Sequence, residues 1–152
     1  MTVRHDVVRD LALARRDLRG PLLPVLHAIN DELGHIDQAD LPVVADVLNL
    51  AVAEVQGVVT FYRDFRRVPA GRATVRVCRA EACQAVGAEA LAEHAKQRLG
   101  VGFGETTADG AVTLDEVFCL GNCALGPAVQ VDGKLRGRVT PARLDAVLGE
   151  LR

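Results

Sequence analysis

The sequence contains no tryptophan, one tyrosine, four phenylalanines and one methionine in 152 residues. So few aromatic faces leave little from which to build a base-stacking platform. An excess of positive charge is missing too, since 18 Lys and Arg against 20 Asp and Glu leave a net charge of −2. That balance argues against a nucleic-acid binder held by global electrostatics. The most apolar segment, residues 43–55, is too short for a bilayer and is broken by Asp46, Asn49 and Glu54. The opening residues include Arg4, His5, Asp6, Arg9 and Asp10 and lack the apolar core of a secretory signal. A soluble, cytoplasmic chain with no membrane span is expected.

Hydrophobic residues at 49% and charged residues at 25% describe an ordinary globular chain, with room for one domain or two small ones. Its halves differ in period. Residues 1–70 read as a helical bundle and residues 71–152 as a mixed layer of strands and helices, an α+β arrangement. Leu22, Val25, Leu26, Ile29 and Leu33 keep helical spacing, with Pro24 suited to a first turn and Gly34 to a stop. Asp40 is placed to cap a further helix carrying Leu41, Val44, Val47 and Leu48, and a third runs from Ala51 until Gly57 ends it. A weaker opening helix covers residues 7–16. The stretch Val68-Pro69-Ala70-Gly71-Arg72 has the chemistry of a linker or turn.

Beyond it, Thr74 to Val77 alternate as a strand that runs into Cys78. Ala85, Ala88, Leu91, Ala92, Ala95 and Leu99 form a helical stripe closed by Gly100. Asp109-Gly110 and Asp132-Gly133 each read as a two-residue hairpin turn between short strands, and Thr140-Pro141 opens a last helix. The predicted order is β-α-β-β-β-β-α.

All four cysteines lie in this second half, Cys78 and Cys83 as C-x4-C and Cys119 and Cys123 as C-x3-C, with 35 residues between the pairs. Each pair follows a strand-like run, so each belongs on a loop leaving a strand end. Two such loops on one sheet edge would gather four sulfurs around a small volume. Three chemistries use four cysteines. Disulfides staple mainly secreted proteins, and no export signal is visible. Structural zinc prefers C-x2-C knuckles, although wider spacings occur. A [2Fe–2S] cluster gives two thiolates to each iron and is wider than one ion, so the looser pairs suit it better. Gly87, Gly121 and Gly126 would let backbone approach the sulfides, and a helix from Gln84 would aim its amides at the Cys83 loop. Thiol–disulfide exchange is disfavoured, because neither pair has C-x-x-C spacing.

The stretches Val59-Thr60-Phe61-Tyr62 with Phe65, Val77-Cys78-Arg79-Ala80-Glu81-Ala82-Cys83, and Phe118-Cys119-Leu120-Gly121-Asn122-Cys123 with Gly126-Pro127 carry a resemblance. They resemble the small [2Fe–2S] subunit of NADH-dehydrogenase-type modules, over most of the chain. The resemblance implies a helical bundle joined to a thioredoxin-like [2Fe–2S] ferredoxin domain, with Cys78 and Cys83 on one iron and Cys119 and Cys123 on the other. It implies a non-catalytic electron-transfer subunit beside a flavoprotein subunit that binds FMN and NAD. Ala80-Glu81-Ala82 and Gly121-Asn122 make the sequence most similar to the gamma subunit of NAD-dependent formate dehydrogenase, whose formate-oxidising subunit contains molybdenum. The corresponding subunits of respiratory complex I and of NAD-linked hydrogenases are the alternatives, and a four-cysteine zinc module is a further one.

Other features read as ordinary structure. Arg63, Arg66, Arg67, Arg72, Arg76 and Arg79 crowd one stretch and are taken as solvated surface, with an acidic partner's docking face as the alternative. His27 and His35 stand far from the cysteines and are taken as structural or surface residues. Gly100, Gly102 and Gly104 have the wrong spacing and context for a dinucleotide loop. Phe61, Tyr62 and Phe65 are expected in packing rather than on an exposed patch.

Overall fold

A computed structural model describes residues 2–151, which divide after Pro69 into two compact units. In the first unit, four helices surround an apolar core: α1 (Val3–Leu13), α2 (Leu22–Leu33), α3 (Leu41–Leu48) and α4 (Val52–Phe61). Val8, Val25, Leu26, Ile29, Val44 and Val55 are fully buried there. The stripe at 22, 25, 26, 29 and 33 forms α2, and Gly34 ends it in the left-handed conformation at φ 74°. The opening helix starts and ends earlier than expected, and Thr2 supplies its cap.

Two sequence expectations need correction here. Gly57 does not stop α4, which continues to Phe61. A helical glycine costs only about 1 kcal/mol, and continuing the helix buries Val59 one turn after Val55. Asp40 does not cap α3 with its side chain. Its carboxylate is instead buried against Arg4, whose Nε lies 3.1 and 3.0 Å from Oδ1 and Oδ2 and whose Nη2 lies 2.7 Å from Oδ2. The Asp37 amide donates to the same carboxylate at 2.9 Å. Arg4 thereby pins α1 to the turn that begins α3. Its side chain stays about a quarter exposed, whereas the carboxylate has no exposure. Arg4→Ala should therefore cost about 3 kcal/mol, because it strands a buried charge. Urea unfolding checks this, and Arg4→Lys should recover only part of the loss because Lys lacks the two-pronged donor.

The aromatic trio stays in edge-on contact, Phe61 to Tyr62 at 5.0 Å and Tyr62 to Phe65 at 5.9 Å, but differs in burial. Phe65 enters the core with its ring edge-on to His27 at 4.9 Å, while Phe61 is 76% exposed and Tyr62 lies partly outside.

The second unit carries a five-stranded sheet in the order β2-β3-β1-β4-β5. Its strands are β1 (Ala73–Cys78), β2 (Glu105–Thr106), β3 (Val112–Val117), β4 (Val129–Val131) and β5 (Lys134–Arg136). Only β1 and β3 run parallel, with Cys78 opposite Val117; every other neighbour is antiparallel. Between them the chain forms a one-turn helix α5 (Glu81–Gln84) and the longer α6 (Ala88–Leu99), and it ends with α7 (Pro141–Glu150). Leu91, Ala92, Ala95 and Leu99 of α6 and Leu144 and Leu148 of α7 pack with Val75, Val77, Val112 and Leu114 of the sheet. The fold is the mixed helix-and-sheet layer that the periodicity announced.

Local details differ from the expectation. The single helix is two, broken where Gly87 adopts φ 98°, so Ala85 is exposed rather than part of the stripe. Asp132 and Gly133, at φ 47° and 80°, make the two-residue turn expected of them. Asp109-Gly110 sits in a wider loop, because Thr107 N–H donates to the Val112 carbonyl and Gly110 N–H donates back to Thr107. Among the described residues, no helix is long and apolar enough to cross a membrane.

Candidate metal centre

Because β1 and β3 are parallel neighbours, their C-terminal ends lie side by side, and both cysteine loops leave the sheet there. Cys78 is the last residue of β1. Its amide donates to Ala128 at 3.0 Å, and the Arg79 amide donates to Val117 at 2.8 Å, which ties both loop stems to the sheet. Cys83 lies within α5, and both thiols are about 1–2% exposed. Ala88 and Ala128 pack against them, with Ala80, Val117 and Leu120 at the margin. Cys119 and Cys123 follow β3 and are exposed. Cys123 begins a single 3-10 turn, Cys123–Leu125.

Cys83 and Cys123 both register thiols of the other pair. Burial pushes the Cys83 thiol up, partly offset by the Ala128 backbone amide, and Cys78 and Cys123 push it further. Cys123 is raised first by its hydrogen bond with Cys119 and then by that neighbour's charge, with Cys78 adding to it. The two pairs therefore share one electrostatic neighbourhood. Four thiolates gathered there repel one another unless a cation compensates them.

Cys119 has φ 118°, a conformation that costs a side-chain-bearing residue about 1–3 kcal/mol. Its Sγ lies over its own loop, where the Gly121 amide donates to it at 3.2 Å. Cys119→Gly should therefore stabilise the cluster-free chain by about 1 kcal/mol after the extra entropy of glycine in the unfolded state. Thermal unfolding of metal-free protein checks this.

Of the three glycines singled out from the sequence, Gly126 alone closes on a cysteine. A Cβ there would lie 2.9 Å from Val86 Cγ2 and 3.4 Å from Cys83 Sγ. Gly87 and Gly121, at φ 98° and 71°, have open space at the Cβ position and serve as turn residues. The expected helix dipole is also absent at Cys83, because α6 begins only at Ala88.

Two residues that the sequence does not mark as part of the site support it. Arg79 reads there as one arginine of a run, yet its Nη1 lies 2.7 Å from Glu116 and its Nη2 2.9 Å from Glu89. It braces α6 against the end of β3, immediately after the first cysteine. Within that same run, Arg72 Nη1 donates to the Asp109 carbonyl at 3.3 Å. Gly137 lies beneath the Cys123 turn, where a Cβ would fall 2.7 Å from Leu125 Cβ and 2.9 Å from Leu125 O. No motif points to either residue, and only the register of β1 against β3 could have brought Arg79 to Glu116. His27 and His35 stay in the first unit, where the His35 carbonyl accepts from Arg4 at 2.8 Å.

A thioredoxin-like layer whose cysteines are paired outside any C-x-x-C arrangement defines the class of small ferredoxins rather than thiol oxidoreductases. The chain belongs to the thioredoxin-like [2Fe–2S] ferredoxin family, whose model matches residues 10–152. The group that accompanies this family is one [2Fe–2S] cluster. The chain is 39% identical to an NADH-quinone oxidoreductase subunit of Rhizobium meliloti (strain 1021), over 100% of this chain and 90% of that one. It is 37% identical to the HndA subunit of the NADP-reducing hydrogenase of Solidesulfovibrio fructosivorans, over 86% of this chain and 77% of that one. Among solved structures, an NAD+-reducing [NiFe]-hydrogenase in the H2-reduced state superposes with a TM-score of 0.70 at 25% identity. That match covers 86% of this chain but only 22% of the hydrogenase chain, so the likeness is to one module of a longer polypeptide.

The residues present fit a two-iron group. The Cys119 and Cys123 sulfurs stand 3.9 Å apart. Two sulfurs on one tetrahedral metal at about 2.3 Å would stand about 3.8 Å apart. Among the described residues, no three His, Cys, Asp or Glu donors close on a single ion.

Proposed function

We propose that Cys78 and Cys83 hold one iron, that Cys119 and Cys123 hold the other, and that the chain relays single electrons in an NAD-linked oxidoreductase. The observation that carries this reading is the placement of both cysteine pairs on loops leaving the adjacent ends of β1 and β3. When bound, the cluster supplies one-electron chemistry. The protein supplies ligands, close backbone approach at Gly126, and a rigid edge braced by Arg79. NAD, FMN and any carbon substrate would be handled by partner subunits. The two units would act as separate domains, a helical bundle over residues 1–70 and a cluster domain over 71–152.

The parent complex we favour is of the NADH–quinone oxidoreductase type, in which this chain sits beside a flavoprotein subunit binding FMN and NAD. Support comes from the relatives named above, which are subunits of such an enzyme and of a hydrogenase. A second reading, the gamma subunit of an NAD-dependent formate dehydrogenase with a molybdenum subunit, rests on Ala80-Glu81-Ala82 and Gly121-Asn122.

Purification with native partners separates these readings. Reduction of a quinone by NADH is expected. Reduction of NAD+ by formate would favour the second reading, and reduction by hydrogen would favour a hydrogenase module. A colourless complex carrying zinc would sink all three.

A further inference from the structure

We propose that the recess between the end of β5 and α7 binds a small organic monocarboxylate. Arg136 and Arg143 would hold its carboxylate, and Val139, Ala146 and Val147 would receive its aliphatic body. The recess measures about 210 Å3, and Glu150 completes its lining. It shares no residue with the four-cysteine edge, so it stands or falls independently of the electron-relay reading.

One wall follows from helical spacing. Arg143, Ala146, Val147 and Glu150 stand at i, i+3, i+4 and i+7 on α7 and therefore share a face. That face runs beside the stripe of Leu144 and Leu148, which packs into the core. The facing wall begins with Arg136, the last residue of β5. Val139 follows on the connecting loop, buried and held by its amide bond to the Pro127 carbonyl at 3.0 Å.

The two guanidiniums are not neutralised by their surroundings. Arg136 Nε is buried and has no hydrogen-bond partner among the described residues. A buried donor left in that state is costly, and such groups ordinarily find an acceptor. Arg143 Nη1 donates to the Gly137 and Arg138 carbonyls at 3.2 and 3.0 Å. Those carbonyls fix the guanidinium in place but carry no net charge to cancel its own. Glu150 lines the same recess, yet among the described residues it pairs with neither arginine. Its Cα lies two turns, about 10 Å, along the helix from that of Arg143. Two arginines and one glutamate leave a single net positive charge, which matches one carboxylate and disfavours a dianionic phosphate. The planar oxygens of a carboxylate also suit the guanidinium fork. By liquid volume the recess equals about seven waters. Pentanoate has that many heavy atoms, whereas a nucleotide is far too large. The apolar side chains favour such an aliphatic body over a bare ion.

The test is saturation-transfer NMR on the full chain with its cluster, at low ionic strength. Pentanoate is the probe, and pentylamine and inorganic phosphate are the competitors. Pentanoate should bind saturably, pentylamine should not displace it, and phosphate should do so only at far higher concentration. Arg136→Gln and Arg143→Gln should each weaken binding about tenfold, because each removes a hydrogen bond between charged groups. Ala146→Leu keeps both charges but fills the recess from an exposed helical position. It should abolish binding while circular dichroism and cluster absorption stay unchanged. Glu150→Gln should narrow the preference for pentanoate over phosphate. Binding that never saturates, or that survives both arginine changes or Ala146→Leu, would overturn the proposal. Phosphate competing as well as pentanoate would overturn the carboxylate assignment. Should Arg143→Gln unfold, since its carbonyl bonds hold the loop, Arg136→Gln and Ala146→Leu decide the outcome.

Discussion

Cys78→Ala should abolish the visible absorption of the purified chain and remove both irons and both sulfides, not half of them. A bridged pair of irons cannot keep one member when the other loses a thiolate, so the loss is all-or-none in metal content. The expected effect on folding is small by comparison. Cys78 is 2% exposed and packs against Ala88 and Ala128, so trimming its sulfur leaves a cavity smaller than a methylene chain would. That should cost about 1 kcal/mol. Cys119→Ala makes the complementary case, because that residue is exposed and strained and its replacement should cost no folding stability. Equal loss of iron in both variants, with circular dichroism unchanged, is what a shared centre demands. If Cys78→Ala unfolds the second unit while Cys119→Ala keeps its colour, the first pair is only core packing. The measurements are iron and acid-labile sulfide per chain, with absorption spectra, after anaerobic purification.

Much of this site was legible in the sequence because its parts are local. Cys78 follows an alternating run whose Ala73, Val75 and Val77 are the buried face of β1, so its place at a strand end could be read directly. Asp132-Gly133 needed positive φ at two successive residues, and that chemistry is written in the dipeptide. The failures share a cause. Asp40 has the composition of a helix cap, but a buried bond to Arg4, 36 residues away, claims its carboxylate. Gly57 looks like a stop, but the burial of Val59 carries the helix past it. Gly87 breaks a helix that the apolar stripe alone would continue. In each case a tertiary contact or one backbone conformation outweighed a local preference of about 1 kcal/mol. The exposure difference between the two cysteine pairs belongs to the same kind, since nothing in C-x4-C or C-x3-C distinguishes inside from outside.

Gly137→Ala should be the most damaging single-methyl change in the second unit. The added Cβ would meet Leu125 Cβ at 2.7 Å, Asn122 Nδ2 at 2.9 Å and the Leu125 carbonyl oxygen at 2.9 Å. One of these atoms is backbone, so no side-chain rotation relieves the clash. The contact cannot relax by lifting the chain either, because Arg138 N–H is bonded to the same Leu125 carbonyl at 2.6 Å and Val139 N–H to Pro127 at 3.0 Å. Overpacking of this kind costs about 1–3 kcal/mol, and the upper end applies where the neighbour is held on both sides. The strain falls on the turn Cys123–Leu125, so the variant should lose cluster as well as stability. Gly149→Ala in α7 is the matched control, since nothing lies within 4 Å of its Cβ position. That change should be neutral or stabilise by up to about 1 kcal/mol. Urea unfolding together with iron content on both variants separates the effects. If Gly137→Ala keeps full cluster occupancy and full stability, the Cys123 turn does not depend on the loop beneath it.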